Sequence, residues 1–299
     1  MIVLVTGSSG LIGKALVEKL KEKGHTVRKL VRGKPKDDSE FFWNYAEGKI
    51  DEMAFANIDS IIHLAGASIG ERWTKNHKQE IISSRIDSAD FLRDKCIQHN
   101  IRLKSFISAS GINYYGTFTS DRILTEEDGV QQHDFLSEVC VLWENAAEKF
   151  STVSERTVVV RMAAVLSKTG GSFEKLKNIT DYNLAAPIGS GKQWFCWIHL
   201  DDAVNLYCKA LEDPEMRGSY NAVADQIPTN AELMKRLAKA RNKMFIPIKV
   251  PSFLLKIMLG EMSSIVLEGT RASNKKIKKT GFMFNFNDID AALADIQSV

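Results

Sequence analysis

The chain has 299 residues, of which 44% are hydrophobic and 26% are charged, and its formal net charge at pH 7 is +3. This composition is typical of a soluble globular protein with one elaborated domain or two domains. The small net charge argues against nucleic acid or a membrane as the main partner, because proteins that bind them usually carry a concentrated basic surface.

The cysteines give no sign of a metal site. They lie far apart, with no histidine at ligand spacing: Cys96, Cys140, Cys196 and Cys208. We therefore expect neither a bound metal nor a disulfide framework, and reduced thiols favour a cytoplasmic protein. The amino terminus lacks the basic region of a signal peptide, and no apolar run approaches the roughly 18 residues of a membrane span.

The first half of the chain alternates short β-branched runs with longer amphipathic segments, which is typical of βαβ units. Five parallel strands are predicted over residues 2–6, 26–32, 60–65, 104–108 and 156–161. Helices are predicted over residues 11–23, 75–98 and 134–150. The expected fold class is therefore α/β, with a doubly wound parallel sheet of the Rossmann type.

A glycine-rich segment, TGSSGLIG at residues 6–13, lies between the first predicted strand and the first predicted helix. Gly7 permits a tight turn, Gly10 lets the backbone approach a pyrophosphate, and Gly13 allows the helix to pack closely on the strand. The spacing differs from the common G-x-G-x-x-G, but the strand, loop and helix follow in the required order. We interpret the segment as a dinucleotide-binding loop; glycines needed only for packing are the alternative.

The second predicted strand ends at Arg32, where an NAD enzyme usually has an acidic residue that binds the ribose hydroxyls. A guanidinium there suits a 2′-phosphate, which a carboxylate would repel. The expected cofactor is therefore NADP(H) rather than NAD(H). A solvated arginine at a strand end is the alternative.

After residue 166 the pattern changes to a segment rich in glycine and aromatic residues, followed by short predicted helices over residues 230–241, 251–260 and 288–296. Asp201 is expected to cap a helix. We expect a Rossmann domain over residues 1–166, completed by about residues 195–222. Residues 167–194 and 223–299 then form a smaller, mainly helical lobe, with a ligand cleft between the two parts.

Further motifs carry a family resemblance. They are HLAG at 63–66, FISAS at 106–110, RWTKNHKQEIISSR at 72–85, INYYG at 112–116, PIGSGKQWFCWIHLDD at 187–202 and PSFLLKIMLGEM at 251–262. With TGSSGLIG they resemble the extended short-chain dehydrogenase/reductase superfamily, and in particular its atypical branch of epimerase-family proteins with a distinctive C-terminal domain. The resemblance covers nearly the whole chain.

The resemblance implies cofactor contacts along the chain. Those expected at the pyrophosphate are Gly7, Gly10, Leu11 and Ile12. Those expected at the adenosine and its phosphate are Val31, Arg32, Leu64 and Ala65. Glu80 and Arg85 match charged positions that reach the cofactor, although on the sequence alone they are equally well a surface pair. Val165 is expected at the nicotinamide end.

The predicted helix over residues 134–150 departs from the superfamily pattern. Ordinary members carry a tyrosine and, four residues later, a lysine on one face of this helix, where the ammonium lowers the pKa of the phenol that exchanges a proton with the substrate. Alignment by the WENAAE segment puts Leu136 and Cys140 at these positions, so the usual acid and base are absent. The helix is expected to have a wholly apolar inner face, with Glu144 pointing elsewhere.

Other residues are candidates for a replacement. Ser110 matches the serine or threonine that hydrogen-bonds the reacting carbonyl, although a turn at a strand end is as good an explanation. Tyr114 or Tyr115 is expected to donate a proton from a loop above the nicotinamide, with aromatic packing as the alternative. His199 is a weaker candidate.

Two functions stay open. The first is an NADP(H)-dependent oxidoreductase or an epimerase that acts through a keto intermediate on an unknown small molecule. The second is a non-catalytic module that senses NADPH and binds a protein partner. Superfamily relatives commonly form dimers, so a homodimer is one expected assembly.

Overall fold

A computed structural model describes residues 1–168 and 170–297, and a central sheet of eight strands organises the fold. The strands of this sheet are β1 (Ile2–Thr6), β2 (Thr26–Val31), β3 (Glu40–Asn44), β4 (Lys49–Ile50), β5 (Ser60–His63), β6 (Ser105–Gly111), β8 (Thr157–Met162) and β11 (Gly218–Ala222). Two smaller sheets pair β7 (Ile123–Leu124) with β12 (Arg271–Ala272), and β9 (Ala164–Leu166) with β10 (Trp197–His199).

The helices among the described residues are α1 (Leu11–Glu22), α2 (Lys75–Ser83), α3 (Ile86–Gln98), α4 (Phe135–Glu148), α5 (Gly171–Asp181), α6 (Leu200–Glu212), α7 (Asn230–Ala240), α8 (Ser252–Leu259), α9 (Ser263–Leu267), α10 (Lys275–Lys279) and α11 (Ile289–Asp295). Short 3-10 turns connect several of them. Within the described ranges, every helix is too short or too polar to cross a lipid bilayer.

The central sheet runs in the order β11-β8-β6-β5-β1-β2-β3-β4, and its pairs are parallel except β3 with β4. The order reverses direction at β1, so the crossover helices cover both faces, as in a doubly wound sheet. The predicted fold class is confirmed. Sequence reasoning missed β3, β4 and β11, which are short or lack a long β-branched run.

Two hydrophobic cores sandwich the sheet. On one face, α1 and α6 contribute Leu16, Leu20 and Leu206 to a cluster with strand residues such as Val3 and Val158. On the other face, α3 and α4 form a second cluster, which includes Leu92, Ala147, Phe106, Phe150 and Ile61. The strands are apolar on both sides because both faces are covered.

The predicted long helix over residues 75–98 is two helices, and the single-helix prediction is wrong. Ser84 donates its hydroxyl to the Ile81 carbonyl at 3.2 Å and accepts the Ala67 amide at 2.8 Å. The Arg85 Nη1 also donates to the Ile81 carbonyl, at 2.9 Å. Both side chains bind the Ile81 carbonyl near the end of α2, and both also bind Ala67, so they connect the break between α2 and α3 to the loop after β5.

Helix α4 begins as predicted, with Asp134 as its N-cap. The Asp134 carboxylate accepts the amides of Leu136 and Ser137, and the Ser137 hydroxyl accepts the Asp134 amide in return. This capping box stabilises the start of the helix. The expected cap of α6 is wrong, because His199 is the N-cap and its Nδ1 accepts the amide of Asp201, at 3.2 Å.

The residues after Leu166 build a further core around α5, α7 and α11. Its buried members include Phe173, Trp197, Leu233, Leu237 and Leu293. The β11 strand returns from this region to the edge of the central sheet beside β8. This arrangement is compatible with the predicted two-part organisation, whose boundaries stay a prediction.

Candidate functional site

Two glycines of the loop between β1 and α1, Gly7 and Gly13, have no room for a side chain. Gly7 has a φ of +67°, and a Cβ there would lie 2.6 Å from the Leu64 carbonyl oxygen. A Cβ on Gly13 would lie 2.1 Å from the Gly7 carbonyl oxygen. Gly10 has an extended backbone, donates its amide to that same carbonyl at 3.0 Å and is the N-cap of α1. Gly7 and Gly13 are therefore required by a turn or a close approach, whereas a Cβ on Gly10 would lie 3.3 Å from the Gly7 carbonyl oxygen.

The first turn of α1 is open to an anion. Gly10 has no side chain to cap the helix, so the first amides of α1, including those of Leu11 and Ile12, are left without a side-chain acceptor. The partial positive charge of the helix end adds to these donors. The loop thus has the shape and polarity that a pyrophosphate group needs.

Thr6 brings the ends of β1 and β5 together. Its hydroxyl oxygen lies 3.0 Å from the amide nitrogens of both Leu64 and Ala65, which donate to it. These two half-buried residues therefore lie directly beside Gly7. The structure places the residues predicted for the adenosine next to the glycine loop, although they are nearly 60 residues apart in sequence.

Val165 approaches the same loop from the other side. A Cβ on Gly171 would lie 3.1 Å from the Leu11 Cδ2 atom and 3.8 Å from the Val165 carbonyl oxygen. Gly171 thus lies between the Leu11 side chain and the Val165 carbonyl. Gly170, beside Gly171, is also close to Leu11, since a Cβ there would lie 3.7 Å from the Leu11 Cδ1 atom.

Arg32 is exposed immediately after the last residue of β2, Val31. Within the described residues its guanidinium has no ion pair and no hydrogen bond. Lys29, on the same strand, is already engaged by Asp37 and Glu40 at 3.1 Å each. Arg32 is therefore the cation of this strand that is free to bind an anion at the carboxyl edge of the sheet.

Glu80 and Arg85 do not form the surface pair that the sequence left open. Glu80 is exposed and its carboxylate lies 3.3 Å from His77 Nδ1. Arg85 is only 8% exposed and uses its terminal nitrogens on the carbonyls of Ile81 and Ala67, at 2.9 and 3.1 Å. Burial lowers the pKa of Arg85 to about 10. Through the bond to the Ala67 carbonyl, Arg85 stabilises the loop after β5.

The Arg85 guanidinium also fills the space beside that loop. A Cβ on Gly66 would lie 2.8 Å from the Arg85 Cζ atom, so a larger residue there would displace the arginine. The other side of the guanidinium faces the Trp143 ring of α4, 4.8 Å from its centroid. The Trp143 indole in turn lies 3.5 Å from the ring of His63, which is fully buried. This chain of contacts links the loop to α4.

Leu136 and Cys140 are both buried on the inner side of α4. Cys140 Sγ lies 3.4 Å from the place a Cβ on Gly111 would take, at the end of β6. Burial raises the pKa of Cys140 to about 12, so its thiol stays protonated and is a poor acid at neutral pH. Neither residue offers a group that titrates in the physiological range.

One turn further along α4, Glu144 is largely buried, and the expectation that it points away from the core is wrong. Its carboxylate makes a bidentate ion pair with the Arg161 guanidinium, with both N–O distances 2.9 Å. Burial by itself would lower the pKa of Arg161, but the hydrogen bonds and charge of Glu144 raise it above its ordinary value. The inner face of α4 is therefore apolar near its start and ionic further on.

The candidate Ser110 belongs to this ionic cluster. Its hydroxyl donates to Glu144 Oε1 at 2.7 Å, and Ser219 on β11 donates to Oε2 at 3.2 Å. Sequence reasoning did not consider Arg161 or Ser219. A single arginine in the otherwise apolar strand TVVVRM was the available signal, because a charge in a buried strand requires a partner.

The two tyrosines of the loop after β6 differ in their surroundings. Tyr115 is fully buried, and its hydroxyl oxygen lies 2.9 Å from both Asn221 Oδ1 and the Thr125 carbonyl and 3.0 Å from Arg161 Nη1. Burial raises its pKa to about 12. Tyr114 is only partly buried, and its ring lies against the Arg161 guanidinium, whose Cζ is 3.4 Å from the ring centroid.

His199 is occupied by structural contacts. It is 3% exposed, caps α6 through Nδ1, and has its Nε2 atom 3.3 Å from the Asp295 carboxylate. Its ring packs on Phe286 with centroids 3.9 Å apart. These contacts join α6 to α11 and explain the residue without a catalytic role.

Comparison with protein families gives two matches. The NAD dependent epimerase/dehydratase family matches residues 3–223, and a domain of unknown function, DUF1731, matches residues 250–296. An epimerase family protein of Mycobacterium bovis is 33% identical over 294 residues, which cover 98% of this chain and 96% of that protein.

Two solved structures share the fold. The crystal structure of the human epimerase family protein SDR39U1 (isoform 2) with NADPH matches with a TM-score of 0.89 and 30% identity over 99% of each chain. The nucleoside-diphosphate sugar epimerase of Corynebacterium glutamicum matches with a TM-score of 0.80 and 31% identity, over 98% of this chain and 57% of that one.

Proposed function

This chain belongs to the NAD dependent epimerase/dehydratase family, and we propose that it binds NADP(H) and acts as an atypical oxidoreductase or epimerase on a small carbonyl or hydroxyl substrate. The observation that carries this proposal is the glycine loop. Gly7 and Gly13 have no space for a side chain, and Gly10 leaves the start of α1 open to an anion. The dinucleotide pyrophosphate would bind there.

We assign the preference for NADP(H) to Arg32. The residue is exposed just after the carboxyl end of β2 and has no partner among the described residues, so its charge is available to a 2′-phosphate. The NADPH in the human SDR39U1 structure supports this choice. Val31, Leu64 and Ala65 would contact the adenosine beside it.

The proposed reaction needs a proton as well as a cofactor. When bound, NADPH supplies a hydride to a carbonyl carbon, and a protein group must then provide a proton to the oxygen. The standard acid is missing in our alignment, where Leu136 and Cys140 occupy the positions of the tyrosine and lysine. A different side chain must therefore supply the proton to the substrate oxygen.

We assign the proton-donor role to Tyr114 and the orienting role to Ser110. Tyr114 is partly exposed and is held in place by the Arg161 guanidinium. The phenol of Tyr115 is bonded inside the protein, which is why we do not give it the same role. Ser110 would turn its hydroxyl proton from Glu144 to the substrate oxygen.

Calorimetric titration with NADPH and with NADH tests the cofactor assignment. We expect Arg32→Ala to weaken NADPH binding about 10- to 100-fold, the value of a charge-assisted hydrogen bond, and to leave NADH binding nearly unchanged. Arg102→Ala is the matched control, because Arg102 is also exposed but precedes β6, at the amino-terminal ends of the parallel strands, opposite to Arg32. Equal affinity of the unaltered protein for both dinucleotides would contradict the assignment.

The exposed surface of helix α8 favours a second function, the binding of a protein partner. Helix α8 has no buried residue, and Phe253, Ile257 and Met258 are 60%, 77% and 75% exposed. Apolar side chains on one exposed stripe are typical of a protein-binding surface. Together with the apolar Leu136 and Cys140, this supports a non-catalytic module that binds NADPH and presents α8 to a protein partner.

The two functions differ in whether NADPH is consumed. The enzyme oxidises NADPH in the presence of some carbonyl compound of a substrate panel. The binding module retains NADPH without consumption and captures a partner that Ile257→Asp releases. Metabolite-stimulated NADPH oxidation with no effect of Ile257→Asp on any partner would exclude the second function.

A further inference from the structure

Arg271 is a half-buried cation without a counter-charge. Its Nε atom is buried and has no hydrogen-bond partner, and no carboxylate of the described residues lies within ion-pairing distance of its guanidinium. The other buried arginines of the described chain behave differently. Arg156 uses its terminal nitrogens on the carbonyls of Ala210, Leu211 and Met216, and Arg161 is paired with Glu144.

The Arg271 guanidinium is nevertheless held in a defined position. Its Cζ atom lies 4.5 Å from the centroid of the Trp194 ring. The indole of Trp194 is fixed in turn, because its Nε1 donates to Asp121 Oδ1 at 3.0 Å. The acidic side chain nearby in sequence, Glu268, is bonded to the Thr119 hydroxyl. The carboxylates of Asp121 and Glu268 are thus engaged by groups other than Arg271.

This stacked pair lies on the side of the site that residues after Leu166 provide. Arg271 begins β12, which pairs with β7, the strand that follows the turn containing Tyr114. Cys196 Sγ donates to the carbonyl of Thr270, next to Arg271, at 3.1 Å. The carbonyl of Cys196 in turn accepts the amide of Ala164, next to Val165, at 3.2 Å.

The connections therefore run from Arg271 toward Val165 and toward Tyr114. Tyr114 and Ala163 belong to the same hydrophobic cluster as Cys196 and Ala272. Arg271 is thus linked through Thr270 and Cys196 to the strand that carries Val165, the residue expected at the nicotinamide.

We propose that Arg271, stacked on Trp194, binds a carboxylate or phosphate group of the substrate. A half-buried guanidinium without a partner is unfavourable until an oxyanion supplies its hydrogen-bond acceptors, and a planar fork of donors fits both groups. The ring beneath it fixes the plane of the fork before binding. The inference rests on the proposed function and narrows its substrate to an anionic carbonyl or hydroxyl compound.

The test observes the guanidinium itself by nuclear magnetic resonance, in the full chain with and without NADPH. The Nε–H signal of Arg271 is assigned by its absence from Arg271→Gln. The probes are acetate, inorganic phosphate and neutral acetamide. We expect acetate or phosphate, or both, to shift this signal in a saturable manner and acetamide to leave it in place, and the two anions tell the carboxylate source from the phosphate source.

Affinity measured by calorimetry completes the test. Arg271→Gln should bind the effective anion about 10- to 100-fold more weakly, while its affinity for NADPH stays that of the unaltered protein. Arg122→Gln, which removes an exposed arginine of the neighbouring loop, should change neither. No anion-induced shift of the Arg271 signal, or equal loss of anion binding in the two variants, would overturn the proposal.

This result is separable from the reaction. Anion binding by Arg271 needs no turnover, so a protein that binds acetate or phosphate but oxidises no NADPH would contradict the proposed enzyme and retain the anion site. A protein that turns over only neutral carbonyl compounds, with equal efficiency in Arg271→Gln, would support the enzyme and contradict the anion site.

Discussion

Glu144 on α4 and Arg161 on β8 form a buried bidentate ion pair, with Oε1–Nε and Oε2–Nη2 distances of 2.9 Å. Their side chains are 12% and 4% exposed. The carboxylate accepts the hydroxyl of Ser110, and the guanidinium supports the ring of Tyr114. One ion pair thus positions both side chains that we assign to the reaction.

Breaking this pair should destabilise the protein. We expect Glu144→Gln to lower the free energy of unfolding by about 3–5 kcal/mol, because it leaves the charge of Arg161 buried and uncompensated. Urea unfolding measures the change. Glu138→Gln is the control, since Glu138 is exposed on the same helix and its replacement should cost within about 0.5 kcal/mol.

The double variant Glu144→Gln with Arg161→Met separates the lost pair from the unpaired charge. It should be more stable than Glu144→Gln alone, because no buried cation remains. A Glu144→Gln protein as stable as Glu138→Gln would show that solvent or another group neutralises Arg161.

The two loop tyrosines should separate catalysis from stability. We expect Tyr114→Phe to reduce turnover about 100- to 10,000-fold, the usual contribution of a positioned acid, with the affinity for NADPH unchanged. Tyr115→Phe should instead lower the free energy of unfolding by about 1–3 kcal/mol, because it removes a buried hydroxyl that bonds Arg161 and Asn221. NADPH oxidation with a carbonyl panel and urea unfolding measure the two effects; equal turnover in the two variants would refute the assignment to Tyr114.

The glycine loop predicts a strong steric effect. A Cβ on Gly13 would lie 2.1 Å from the Gly7 carbonyl oxygen, so Gly13→Ala must displace the loop backbone. We expect a loss of about 1–3 kcal/mol in unfolding free energy and a large loss of NADPH affinity. Gly129→Ala is the control, because no heavy atom lies within 4 Å of a Cβ at that position. Unaltered NADPH binding in Gly13→Ala would place the pyrophosphate elsewhere.

His63 makes stability depend on pH. Burial, with a smaller effect of the Arg85 charge, lowers its pKa from 6.5 to about 3. Below pH 6.5 the unfolded chain therefore takes up a proton that the folded protein does not. The stability contributed by neutral His63 is complete above pH 6.5 and is lost as the pH falls toward 3.

The expected slope for this proton is about 1.4 kcal/mol per pH unit, or about 2 kcal/mol between pH 6.5 and about pH 5. Urea unfolding of the unaltered protein and of His63→Gln measures it as a decrease in the difference between their unfolding free energies. His133→Gln, at an exposed histidine, is the control. A difference that stays constant over this pH range would show that His63 takes up its proton in the folded protein.

Local patterns predicted much of the fold. The alternation of β-branched runs and amphipathic segments is repeated many times, so errors at single boundaries did not change the α/β class. The family resemblance was equally informative, because its motifs are spread over the chain, and the two family matches confirm it.

The buried face of α4 shows what local sequence patterns can and cannot predict. Helical spacing correctly placed Leu136, Cys140 and Trp143 on the buried side. The same spacing does not reveal that Glu144 is buried, because its burial depends on Arg161, which arrives on a strand 17 residues later. The break before α3 is a similar case, since the loop after β5 competes for the side chains of Ser84 and Arg85.

Residues close together in the chain were enough to predict the class of fold, the glycine loop and the cation that follows β2. The three-dimensional contacts were needed to learn which tyrosine is accessible, that Glu144 pairs with Arg161, and that Arg271 is stacked on Trp194 without a counter-charge. The physical reason is that desolvation and ion pairing depend on what surrounds a side chain in space. Those surroundings come from distant segments, as for Tyr115 and Asn221, which are 106 residues apart, and no local pattern encodes their approach.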